Sequence, residues 1–176
     1  ERVEVAPGLE ASLAVNHVGH VLLTELVKPL LLAAAPARVI VVSSVAHTRG
    51  RIHLDDLSMT SAYTGYAAYA QSKLANVMHA LDLAEAHPPT ELVAYSLHPG
   101  VISTKLLRDG FAGMRGGSVG QGASMAIKLA TAEKIAEPSG TYYNEGVPTP
   151  PSVAARDATV RAALREVTRR FAGLDG

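Results

Sequence analysis

Two short apolar runs constrain this chain more than anything else in it. Arg38-Val-Ile-Val-Val-Ser-Ser44 and Glu91-Leu-Val-Ala-Tyr-Ser-Leu97 are continuously apolar through their centres. A strand with one wet face alternates apolar and polar residues. A run without alternation reads as a strand buried on both faces, as in parallel sheets. Parallel strands need long crossovers, usually helical, and segments of helical period surround both runs. Leu13, Ala14, Val18, Val21, Leu22 and Leu26 predict a helix from about Glu10 to about Ala35, with Pro29 inside it as the candidate kink. Leu74, Val77, Met78, Leu81 and Ala84 predict a second helix, from about Tyr66 to the His87-Pro88-Pro89 stop. A third is expected from Ser118 to Thr131, a short strand over Gly140–Asn144, and a last helix from Ser152, as its N-cap, to about Phe171. Residues 1–10 read as an irregular lead-in, 45–65 as a long loop of the kind that often carries function, and 101–117 as Gly-rich without steady period. Helices alternating with apolar strands predict an α/β fold with a mainly parallel sheet, one domain over 1–176.

Composition removes several classes of function. Hydrophobic residues are 48% and charged residues 18%, too apolar for a disordered chain. Sixteen Lys and Arg balance sixteen Asp and Glu, so no basic field exists to hold a phosphate backbone and no nucleic-acid partner is expected. The absence of cysteine rules out disulfide frameworks, thiolate metal sites and cysteine nucleophiles. The longest apolar stretch is broken by Pro36 and Arg38, so no membrane partner is expected either, and a cytoplasmic location is.

The chemistry concentrates in four places. Tyr69-Ala-Gln-Ser-Lys73 sets a phenol and an ammonium four residues apart, on one face of a helix. A cation beside a phenol favours the phenolate, which prepares a tyrosine to give or take a proton near neutral pH. Ser44 ends the first apolar strand, 25 positions before Tyr69, where open α/β sheets bind ligands. A hydroxyl there can hold a carbonyl or alcohol oxygen beside the phenol. Asn16, on the first helix, is an amide able to bind a backbone carbonyl or an ordered water. His98-Pro99-Gly100-Val-Ile102-Ser-Thr104 forces a turn after the second strand, and Thr104 with the nearby backbone can hydrogen-bond a planar amide. Each feature alone has an ordinary explanation: a surface Tyr–Lys pair, a strand end, a solvent-facing Asn, a turn.

In this order the four resemble the classical short-chain dehydrogenase/reductase family. The wider wording is similar to its retinol-dehydrogenase-like and WW-domain-oxidoreductase-like members. It includes Val15-Asn16-His17-Val18-Gly19-His20, Val42-Ser-Ser44-Val-Ala-His47, Tyr69-Ala-Gln-Ser-Lys73-Leu-Ala-Asn76, His98-Pro99-Gly100 and Ser139-Gly-Thr-Tyr-Tyr143. The resemblance implies a partial Rossmann-like, doubly wound sheet and an oxidoreductase that uses NAD or NADP on a small-molecule alcohol or carbonyl substrate. It implies Tyr69 as general acid/base, Lys73 as the cation that tunes it and holds the nicotinamide ribose, and Ser44 as the group that polarises the substrate oxygen. Asn16 would hold the water of a proton relay. Tyr69, Lys73, Pro99, Gly100, Ile102 and Thr104 would contact the cofactor.

In that family a Gly-rich phosphate turn follows the first strand, whereas here the resemblance begins at a helix near residue 10. On the order of 100 residues, three strand–helix units of roughly 30, are therefore expected upstream. The expectation is the C-terminal catalytic part of such a fold, lacking its N-terminal strands. It would have one open sheet edge, weak or no dinucleotide binding on its own, and a homodimer or a complementing N-terminal chain as partner. The alternative is a non-enzymatic remnant or a partner-binding half-domain. Gly116-Gly-Ser-Val-Gly120-Gln-Gly122, with Glu137 beyond, imitates the phosphate loop, but no strand precedes it, so it reads as a substrate loop leading into a helix. His17 and His20 lack a third metal ligand, and His47 near Ser44 lacks a hydrolase elbow. Asp55-Asp56 and the arginines 156, 161, 165, 169 and 170 read as solvated surface.

Overall fold

The structure, a computed structural model, describes residues 1–105, 107 and 115–175. Its centre is a four-stranded sheet of β3 (Ala37–Val42), β4 (Leu92–His98), β5 (Tyr142–Asn144) and β6 (Val147–Thr149), in that spatial order. The first three are parallel, with Ala37 opposite Leu92 and Ser96 opposite Tyr142. β6 runs antiparallel to β5. The α/β reading holds, and β3 and β6 are the two edges of the sheet.

Strand β4 shows why its sequence does not alternate. Leu92 and Ala94 pack with Leu83 on one face, whereas Tyr95 and Leu97 pack with Met125, Leu129 and Tyr143 on the other. The first face is covered by α3 (Gly65–Ala86), the second by α4 (Val119–Thr131). Thr64 caps α3 by accepting the Ala67 N–H. Ser118 and Gln121 close a reciprocal capping box on α4.

Upstream, α1 (Ala11–Leu13), a π-helical turn over Ala14–Val18, and α2 (Gly19–Ala33) form one rod. The buried Glu10 side chain caps it through the Ser12 and Leu13 N–H groups. Pro29 lies within α2, and the departure from α-helical bonding comes earlier, around Asn16. The lead-in is not irregular, because β1 (Glu4–Ala6) pairs antiparallel with β2 (Leu9–Glu10) across a turn at Gly8.

The last helix, α5 (Ala158–Phe171), begins later than expected. Asp157, not Ser152, is its N-cap, accepting from Thr159 and Val160. A carboxylate reaches the two N–H groups and also suits the positive helix end. Ser152 instead accepts the Ala155 N–H before a 3-10 turn over Ala154–Arg156. Nor is the arginine face wholly solvated. Arg161 is 6% exposed and donates to both Glu85 oxygens at 2.7 and 2.9 Å, with Asp82 at 3.0 Å. These pairs fasten α5 to α3.

Candidate active site

The C-terminal ends of β3 and β4 lie side by side because Val42 is opposite Leu97 and the Ser43 N–H reaches the Leu97 carbonyl at 2.7 Å. Helix α3 crosses beneath them and is joined to the end of β3 by three bonds. Lys73 Nζ and Asn76 Nδ2 both donate to the Val42 carbonyl, at 3.3 and 3.2 Å. Ser43 Oγ returns a bond to the Lys73 carbonyl at 2.6 Å. Gly50 lets the following loop press against the helix, since a Cβ there would lie 2.4 Å from the Ala70 carbonyl.

This placement sets the Lys73 amine at Val42, the end of β3, two residues before Ser44. Lys73 Nζ lies 5.6 Å from the centroid of the Tyr69 ring, within cation–π range. Burial lowers the affinity of the Lys73 amine for its proton. Of its three N–H directions, the Val42 carbonyl takes one. Ser44 is extended (φ −156°, ψ 156°) and caps the 3-10 turn Val45–Arg49. Its Oγ accepts the Ala46 N–H at 3.2 Å, which leaves its own O–H to donate.

Asn16 sits in the π-helical turn, an irregularity frequent at functional sites. Its Nδ2 donates to Ser72 Oγ at 3.0 Å, and Ser72 Oγ donates to the Tyr69 carbonyl at 2.8 Å. Asn16 is therefore tied to the Tyr69 turn through Ser72. The sequence reading assigned no role to Ser43, Ser72 or Asn76. Their signal was their place beside Ser44, Tyr69 and Lys73 in the quoted motifs. His20, exposed and four residues past Asn16, also belongs near the site. Partial burial lowers its pKa, and the Lys73 charge adds to that.

After β4, Gly100 adopts φ +92°, a left-handed conformation that glycine enters without strain. The turn continues into a bridge between Ile102 and Gly117. Thr104 Oγ1 accepts the Leu107 N–H at 3.4 Å. Pro99 and Gly100 follow the end of β4, which pairs with the end of β3, and Ile102 packs against Gly117 and Gly122. The segment Gly116–Gly122, expected as a substrate loop, does lead into a helix, α4, which begins at Val119; of the Gly-rich stretch before it, residues 106 and 108–114 lie outside the described residues. The glycines at 116–122 serve packing here. Gly117 exchanges backbone bonds with Val101 and Ser103, and a Cβ on Gly122 would strike Ile102 at 2.7 Å. Glu137 accepts the Tyr143 hydroxyl at 3.0 Å, so it is a structural acceptor. Among the described residues no group of three His, Asp or Glu is placed to hold a metal ion, and no helix is long and apolar enough to cross a membrane.

The α/β fold and the sequence comparisons define a class. The chain belongs to the short chain dehydrogenase family, whose model matches residues 3–115. It is similar to retinol dehydrogenase 12 of Bos taurus, 36% identical over 97% of this chain and 57% of that protein. It is also similar to retinol dehydrogenase 13 of Homo sapiens, 37% identical over 96% of this chain and 55% of that protein. Among solved structures, an uncharacterized protein from Mycobacterium paratuberculosis is 30% identical, with TM-score 0.74 over 98% of this chain and 62% of its own. Carbonyl reductase Sniffer of D. melanogaster, at 20% identity and TM-score 0.59, covers 86% of this chain and 61% of its own, and shares the fold. The chain thus spans a little over half the length of the curated relatives it matches.

Proposed function

We propose that this chain carries the proton-transfer half of an NAD- or NADP-dependent oxidoreductase that interconverts an alcohol and a carbonyl compound. The observation that carries the reading is the Lys73 ammonium 5.6 Å from the Tyr69 ring, at the strand end that also holds Ser44. The nicotinamide, when bound, would supply a hydride to the carbonyl carbon or accept one from the alcohol carbon. Tyr69 then takes the hydroxyl proton of the alcohol, or returns one to the carbonyl oxygen, a role typically contributing 10²- to 10⁴-fold in rate. Lys73 sets its ammonium over the Tyr69 ring. Ser44, with its O–H left to donate, holds the substrate oxygen. Asn16, fixed through Ser72, has its Oδ1 available to a water on the proton path.

The residues fit the nicotinamide end of a dinucleotide. Lys73 keeps two donors for ribose hydroxyls, and the Gly100–Thr104 turn offers backbone and hydroxyl groups to a carboxamide. A Gly-rich phosphate turn between a first strand and a helix is not among the described elements. The named relatives make retinol the first alcohol to test. A second reading, a half-domain that binds a complementing chain, draws on the open edge of β3 and the exposed leucines of α2.

The deciding experiment supplies the protein carrying this sequence with C4-deuterated NADH or NADPH and a small aldehyde, and in reverse with retinol and the oxidised cofactors. Deuterium appearing in the product alcohol supports the oxidoreductase. No transfer from either cofactor to any aldehyde, with the protein folded, supports the half-domain.

A further inference from the structure

His47 stands three residues after Ser44 and has no part in the reading above. It is buried, and both of its ring nitrogens are engaged. Nε2 lies 3.2 Å from the backbone nitrogen of Ser152, 105 positions away. A backbone N–H can only donate, so Nε2 is the bare nitrogen and the ring proton sits on Nδ1. Nδ1 lies 2.8 Å from the Ser44 carbonyl oxygen, which also receives the backbone N–H of His47 at 3.1 Å. One carbonyl is thus held by two donors of a single residue. The ring is further held edge-on by Tyr142, with centroids 4.6 Å apart and planes at 60°.

We propose that His47 is the positioning residue of Ser44: a neutral, Nδ1-protonated imidazole that clamps the Ser44 carbonyl and ties the turn after β3 to the segment leading into α5. The proposal rests on the reading of Ser44 as the group that holds the substrate oxygen. The Ser44 side chain and carbonyl share one Cα, so a peptide fixed by two bonds also fixes the aim of Oγ. Misplacement of such a group by about 1 Å can cost about 10²-fold in rate. The titratable groups facing the imidazole are Tyr142 on β5 and His98 on β4, whose charge, if present, would oppose one on His47. Burial already holds His47 below the usual imidazole pKa, against the opposing pull of the Ser44 carbonyl. Protonating Nε2 would set two donors against each other at Ser152 and break the tie to the segment leading into α5.

The clamp is tested first in the wild-type protein, by ¹⁵N spectroscopy of the imidazoles near pH 7. A neutral His47 with its proton on Nδ1 is expected. A proton on Nε2, or a charged ring at that pH, overturns the clamp whatever the activity. Three variants then test its role. His47→Asn keeps an amide donor near the Nδ1 position, His47→Gln keeps an acceptor near Nε2, and His47→Leu keeps neither. Turnover within about tenfold of wild type in His47→Asn, against a loss of about 10²-fold in kcat at unchanged KM in His47→Leu, supports positioning. Equal losses in the two, or none in either, overturn it. If His47→Leu does not fold, His47→Gln replaces it as the variant without a donor to Ser44. Wild-type turnover in Ser44→Ala together with the Nδ1-protonated ring would instead overturn the reading of Ser44 and, with it, any positioning role.

Discussion

Helices α2 and α3 carry apolar residues at the same spacing, yet they meet different surroundings. In α3, Leu74 is 0% exposed, and Ala75, Val77 and Met78 are buried with it among Leu9, Leu13, Leu57 and Leu164. In α2, Leu23, Leu26 and Leu30 are 60, 65 and 72% exposed. Helix α3 lies across β4 and is covered in turn by α5 and the π-helical turn, whereas α2 touches β3 and α5 only lightly. Ser43, Ser72 and Asn76, which bond the helix turns around Tyr69 and Lys73 to the sheet and the first rod, belong to this well-packed part. The sheet edge at β3, beside α2, is left open. The contrast teaches that Tyr69 and Lys73 sit on the buried helix and the exposed leucines on the other, whose rod shares with the proposed site only Asn16 and His20 at its start.

Acid should strike the α3 side hardest. His17 and His79 face one another with ring centroids 6.2 Å apart. Burial lowers their pKa values to about 3 and about 4, each helped by repulsion from a neighbouring imidazole. Unfolding restores about 6.5, so the unfolded chain binds more protons below that pH and stability falls. The stability present above pH 6.5 is lost as pH falls toward 4 and then 3. At about 1.4 kcal/mol per unit the loss reaches several kcal/mol, comparable with the whole stability of a small domain. Urea midpoints between pH 7 and 4 check this, and His79→Gln should flatten the profile. Leu74→Ala comes next, opening a cavity at a site with no exposure and costing about 2–5 kcal/mol. Asp157→Ala removes the cap of α5 and should cost about 1 kcal/mol. Smallest is Leu26→Ser, expected to change thermal stability by no more than about 0.5 kcal/mol while reducing self-association. A loss from Leu26→Ser as large as that from Leu74→Ala would break the comparison, because α2 would then be packed in solution.

The same contrast explains what was legible in the sequence. Both apolar runs became parallel strands, because residues buried on both faces leave no alternation to confuse with anything else. The stripe Leu74, Val77, Met78 found the core, whereas Leu23 and Leu26 had the same period and no partner, and periodicity cannot report what stands opposite. Strand β6 was hidden by Pro148, which is tolerated because β6 is the edge strand. Its turn has positive φ at both Glu145 and Gly146, the primed hairpin geometry, but with Glu rather than Asn or Asp at the first position. The candidate site was legible as residue types and order. Its connections through Ser43, Ser72, Asn76 and His47 were not, since each rests on contacts between segments far apart in the chain. Arg161 was read as surface because a charged residue gives no sign of burial until Asp82 and Glu85 are found opposite it.

The central claim is that Tyr69 moves the proton, and it is tested most directly by replacing one oxygen atom. Tyr69→Phe keeps the ring over which Lys73 sits, and circular dichroism with an unfolding curve checks that the variant is folded. The account predicts a fall of at least about 10²-fold in alcohol–carbonyl turnover by the protein carrying this sequence. Turnover within twofold of wild type, with the fold intact, would contradict it.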